Sequence, residues 1–75
     1  VERKENMNSS LYPIAYAPSR RFGLVRQIVI VSAGVYLWTI TRDGELLASN
    51  TEPSKADAAR VLRSTTNFIA ERQER

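Results

Sequence analysis

Between Gln27 and Ala70 the apolar positions change rhythm once, and that change divides the chain into a sheet and a helix. The first run, from Val25 to Ser32, carries Ile28, Val29, Ile30 and Val31 without interruption, the pattern of a strand covered on both faces. Ala33-Gly34 breaks it. The second run, Val35 to Thr41, places Tyr36, Trp38 and Ile40 on one face and Val35, Leu37 and Thr39 on the other. Both faces are again largely apolar, and Trp38, sharing its face with Tyr36 and Ile40, reads as core. Asp43-Gly44 then marks a hairpin, because glycine enters positive φ without steric cost. A two-residue loop would set Arg42 opposite Glu45 and Ile40 opposite Leu47. A three-residue loop with a glycine bulge would set Ile40 opposite Leu46 and Trp38 opposite Ala48. Both registers stay open, and a slip of one residue exchanges the faces.

Asn50 to Pro53 closes the third strand, and Ser54-Lys55-Ala56-Asp57 has the form of a capping box. The Ser54 hydroxyl would accept an amide hydrogen bond, with Asp57 reaching back and favouring the positive end of the helix. After it Ala58, Val61, Leu62, Thr65, Phe68 and Ile69 recur at three- and four-residue intervals, an apolar stripe for one sheet face, with fraying expected after Ala70. The expected fold is therefore α+β: a three-stranded antiparallel sheet followed by one C-terminal helix packed on one face, a βββα unit spanning 25–72.

Residues 1–24 read as an N-terminal arm. The first ten are polar and aperiodic and are expected to be disordered, with Met7 a candidate natural start. From Leu11 to Gly23 the chain mixes Leu11, Tyr12, Ile14 and Tyr16 with Pro13 and Pro18, which exclude a helix and favour extended backbone. Two readings of this arm stay open: a peptide that lies on a partner or on a second copy, and a lead-in that covers an open edge of its own sheet. Tyr12, Ile14, Tyr16, Arg20, Arg21 and Arg26 are its candidate partner-binding residues.

A chain of 75 residues is one domain with a thin core. It contains no Cys and no His, so disulfides and zinc or haem sites of the usual kind are excluded. Oligomerisation is the remaining route to extra stability. The same lack of His, with acids scattered over turn, loop, cap and termini, leaves no general acid–base pair and no nucleophile with a partner base. Gly23, Gly34 and Gly44 form no phosphate-cradling motif. No catalytic, cofactor-binding or metal-binding residue is expected, and the chain reads as non-enzymatic. Its longest apolar run is Ile28–Val31, too short for an export signal core or a membrane span, which predicts a cytoplasmic protein.

The net charge of +3 lies entirely within residues 1–26, which hold five basic and two acidic groups, while residues 27–75 hold six of each. A basic arm can contact nucleic-acid phosphates, with Arg20, Arg21, Arg26 and Arg42 as the contacts. A short solvated tail is the commoner explanation. A sheet that reads duplex needs a polar, basic open face, and these strands are apolar on both sides. Three strands followed by a helix opening Ser-Lys also resemble the second half of a double-stranded RNA-binding domain, without that family's first helix or its lysine pair.

The string Val35 to Asn50, with its aromatic second strand, Asp43-Gly44-Glu45 turn and Ala48-Ser49 strand end, followed by Ser54-Lys55-Ala56, resembles the YegP-like family of small domains over about 28–69. That resemblance implies a βββα unit paired with another, here as a homodimer of single-unit chains, and brings no established activity. The chain departs from the family pattern in a hairpin one residue shorter between Trp38 and Gly44, and in Thr51-Glu52-Pro53 where Gly-Tyr is usual. Together these readings predict a homodimeric interaction protein that binds through its second sheet face and its arm, with a protein partner possible. Nucleic-acid binding by the arm is the alternative, and a phage or mobile-element inhibitor is compatible with size and charge.

Overall fold

The computed structural model describes residues 12–73. The chain runs β1 (Ile14–Ala15), β2 (Ser19–Arg21), β3 (Leu24–Ser32), β4 (Val35–Arg42), β5 (Glu45–Glu52) and α1 (Lys55–Gln73). All strands among the described residues pair antiparallel in one sheet, so the α+β class holds but five strands are present there where three are expected. The extra two come from the arm. β1 pairs with Val29 and Ile30, and β2 pairs with Leu24 to Arg26, so together they form one edge strand broken between Tyr16 and Pro18. Proline has no N–H for a ladder and is tolerated at such an edge. The expected disorder of the first ten residues, and Leu11, fall outside the described residues.

The turn that folds the arm onto β3 is Phe22-Gly23. Both have positive φ (57° and 76°), and Arg21 pairs with Leu24 across a two-residue loop. These are the angles of a type I′ turn, whose twist suits a hairpin but which ordinarily selects Asn, Asp or Gly at its first position. Phenylalanine there hid the hairpin from a reading by turn residues. Asp43-Gly44 is the second such turn (53° and 83°), with Arg42 opposite Glu45.

Neither anticipated register runs the length of this second hairpin. The ladder begins as a two-residue loop, Thr41 opposite Leu46, and then shifts so that Ile40 faces Ala48 and Trp38 faces Asn50. A β-bulge at Leu47 absorbs the extra residue, and it lets Leu47 and Ala48 both pack against the core. Turn chemistry and the core's demand for apolar side chains thus each set their own part of the register.

Helix α1 crosses one face. At about 1.5 Å per residue its 19 residues extend about 28 Å, close to the length of the eight-residue strands β4 and β5. The core comprises Leu24 and Ile28 of β3, Trp38 and Ile40 of β4, and Ala58 and Leu62 of α1. Trp38 also donates from Nε1 to the Glu52 carboxylate (3.2 Å), so its polar edge is satisfied while the ring is buried.

The buried row of α1 is Ala58, Leu62, Thr66 and Ala70, at strict four-residue spacing. Phe68 was expected in the stripe, but it is 56% exposed. It follows Thr66 by two residues, about 200° around the helix, and the Arg72 guanidinium lies 5.0 Å from its ring centre. Thr66 takes the inward position instead. It is fully buried, with its hydroxyl donating to the Leu62 carbonyl (2.6 Å). At the other end Ser54 Oγ accepts from the Asp57 N–H (3.1 Å), the first half of the capping box. The second half is absent: Asp57 pairs with Arg60 (3.2 Å).

Candidate functional site

Strand alternation assigns every second residue to the face away from α1, and no element among the described residues covers the sheet on that face. Leu24, Ile28, Trp38 and Ile40 point toward the helix, so Val25 and Val29 of β3, Val35 and Leu37 of β4, and Leu46 of β5 point outward. Between them stand Gln27, Thr39, Thr41, Ser49 and Thr51. The strands pair Val29 with Leu37 and Leu37 with Thr51, which makes Leu37 the centre of the outer face. Among the described residues Arg20, opposite Val25 at the edge, is the single charged side chain on it. An exposed face without carboxylates, and with one cation at its rim, is unlike an ordinary solvated sheet surface. It has the depletion of charge that marks the centre of protein interfaces.

The free edge of the sheet is less available. β5 carries the bulge at Leu47, and the Asn50 carboxamide oxygen accepts from the Thr51 main-chain N–H (2.8 Å). A bulge and a side chain occupying a main-chain donor both discourage another strand from adding at an edge.

The six arm residues do not form one surface. Arg20 is exposed at the margin of the outer face, whereas Ile14 and Arg21 pair opposite Ile30 and Leu24 and so lie on the helix side. Arg21 stacks over Phe22 (4.9 Å to the ring centre), which is itself 51% exposed at the turn. Tyr12 and Tyr16 are half-buried, and Tyr16 packs against the core with the Lys55 ammonium 4.2 Å from its ring centre. Arg26 is half-buried beneath the edge strand, with Nη2 donating to Ser19 Oγ (3.1 Å). The sequence reading grouped these residues by proximity in the chain; the Phe22-Gly23 hairpin distributes them over two faces. Their neighbours Ser19 and Lys55 were missed, because only the folded edge brings them beside Arg26.

Among the described residues no cluster of acids is placed to hold a metal ion, and no helix is long and apolar enough to cross a membrane. No family model, curated protein or solved structure matches the chain.

Proposed function

We propose that this chain is a non-enzymatic interaction protein that acts as a homodimer, two copies meeting through the outer faces of their sheets with the arm strands at the margin. The observation that carries this reading is the nearly uncharged face centred on Leu37, which nothing among the described residues covers. Its size is adequate. Eight residues at about 3.3 Å and four strand positions at about 4.8 Å give a patch of about 26 by 19 Å, or about 500 Å² per copy before side-chain relief. Two such patches reach the roughly 1,000 Å² at which specific interfaces begin.

A twofold pairing must also be self-complementary, and a face without opposed like charges at its centre meets that condition. Sheets stacked in this way sit about 10 Å apart with interdigitating side chains, as in a sandwich. Pairing would supply the second layer that a thin single core lacks. The resemblance to YegP-like domains, whose βββα units pair, points the same way. Sedimentation at micromolar concentration tests the reading: a species of twice 8.5 kDa supports it, and a single species of 8.5 kDa overturns it.

A second reading rests on Phe22, an exposed aromatic at a turn preceded by the exposed Arg20 and Arg21, with Arg21 over its ring. An exposed aromatic beside cations is the local chemistry of a nucleic-acid contact. Titration of labelled duplex and single-stranded DNA and RNA at low and moderate salt tests it, and absence of binding at low salt removes it.

A further inference from the structure

Where Ala17 and Pro18 interrupt the edge strand, a cleft of about 120 Å³ opens between that strand and the N-terminal half of α1. Tyr16, Ser19, Arg26, Gln27, Lys55 and Leu62 line it. Two of these are cations, and none of its lining residues is acidic.

The position of Arg26 is the unusual part. It stands in the helix-facing row of β3 between Leu24 and Ile28, opposite the fully buried Ile40. A guanidinium offers five N–H donors, yet the side-chain hydrogen bond found for it is the one to Ser19 Oγ. Its Nε is buried and has no partner among the described residues. The single ion pair among those residues, Asp57 with Arg60, lies elsewhere. A half-buried cation without a counter-charge among the described residues is costly unless an anion compensates it. Lys55 adds a second positive charge at the rim, over the ring of Tyr16. Gln27 does not compete, since its Nε2 donates to the Tyr16 carbonyl (3.0 Å).

We propose that this cleft is an oxyanion site, in which a carboxylate or phosphate group is held by the Arg26 guanidinium with Lys55 as its second counter-charge. Planar guanidinium donors suit either group, and both are strong acceptors. The site lies at the sheet edge and stands independently of the homodimer reading.

The test is a titration of the isotope-labelled protein with inorganic phosphate and, separately, with sodium acetate, at constant ionic strength. The readout is the Arg Nε–Hε signals together with the backbone amides. The expected result is a saturable shift of the Arg26 Nε–Hε signal and the Gln27 amide, with those of Arg42 and Arg60 unmoved. Saturation by phosphate alone, or by acetate alone, assigns the group the site takes. Lys55→Gln should weaken binding about tenfold, the scale of one charge-assisted contact, and Arg26→Gln should abolish it. Lys55 is exposed in the first helical turn, so its variant carries the test if Arg26→Gln does not fold. Shifts that rise linearly and equally at all arginines, or binding unchanged in Lys55→Gln, overturn the proposal.

Discussion

Replacing Leu37 by lysine separates pairing from folding, because Leu37 is central to the outer face and points away from the helix-covered core. In a single chain it is only half-buried, and a lysine stem can lie along the Val29 and Thr51 side chains with its ammonium in water. The fold should survive. In a twofold pair the same residue occurs twice at the centre. Each copy loses the burial of its remaining leucine surface, about 1 kcal/mol, roughly half of what a fully buried leucine contributes. Each also brings a charge that must be desolvated or displaced, at least about 1–2 kcal/mol after relaxation. Doubled by symmetry, the penalty is about 4–6 kcal/mol, a loss of at least a thousandfold in dimer affinity at 1.4 kcal/mol per decade. Sedimentation of Leu37→Lys at tens of micromolar should therefore give a monomer with an unchanged circular dichroism spectrum. Phe68→Lys, which alters an exposed apolar residue on the helix, is the control and should leave the dimer intact. A Leu37→Lys protein that still sediments as a dimer would show that the outer sheet face is not the interface.

Three further substitutions examine the fold itself. Thr66→Val should raise stability by about 1 kcal/mol, a melting shift of about 4–8 °C for a domain this small, because the buried hydroxyl bonds only a carbonyl that the helix also serves. A lower melting temperature would mean that the hydroxyl's bond outweighs its burial. Ser54→Ala removes the acceptor for the Asp57 N–H and should cost about 1 kcal/mol in a urea titration, with little change in the slope. Gly44→Ala meets no neighbouring atom within 4 Å, so its expected loss of about 1–2 kcal/mol measures the backbone alone, at φ +83°. No loss would mean that the Asp43-Gly44 turn relaxes to another form.

The elements from Leu24 onward were legible because each is written locally. Strand alternation around Trp38, the Asp43-Gly44 turn and the Ser54 cap depend on neighbours within a few residues, and their physical causes act over that distance. Arm pairing was legible only as one of two open readings, a lead-in covering the sheet's own edge, which is the one the structure adopts; its strands and register were not, because β1 and β2 are two and three residues long and their hairpin turns on a phenylalanine in a conformation that glycine or asparagine usually occupies. The bulge at Leu47 was equally hidden, since it resolves a contest between a two-residue turn and the core's hold on Ala48, which only exists once α1 is in place.

By itself, then, the sequence determined the class, the order from β3 to α1 and the apolar excess on both sheet faces. Tertiary structure alone decided where that excess lies. It used the arm to complete the sheet's edge, which left the face around Leu37 without cover among the described residues, and it closed the broken edge strand over Arg26 beside Lys55. Both outcomes depend on contacts between distant parts of the chain, and local pattern carries no record of which of several apolar segments will cover which face.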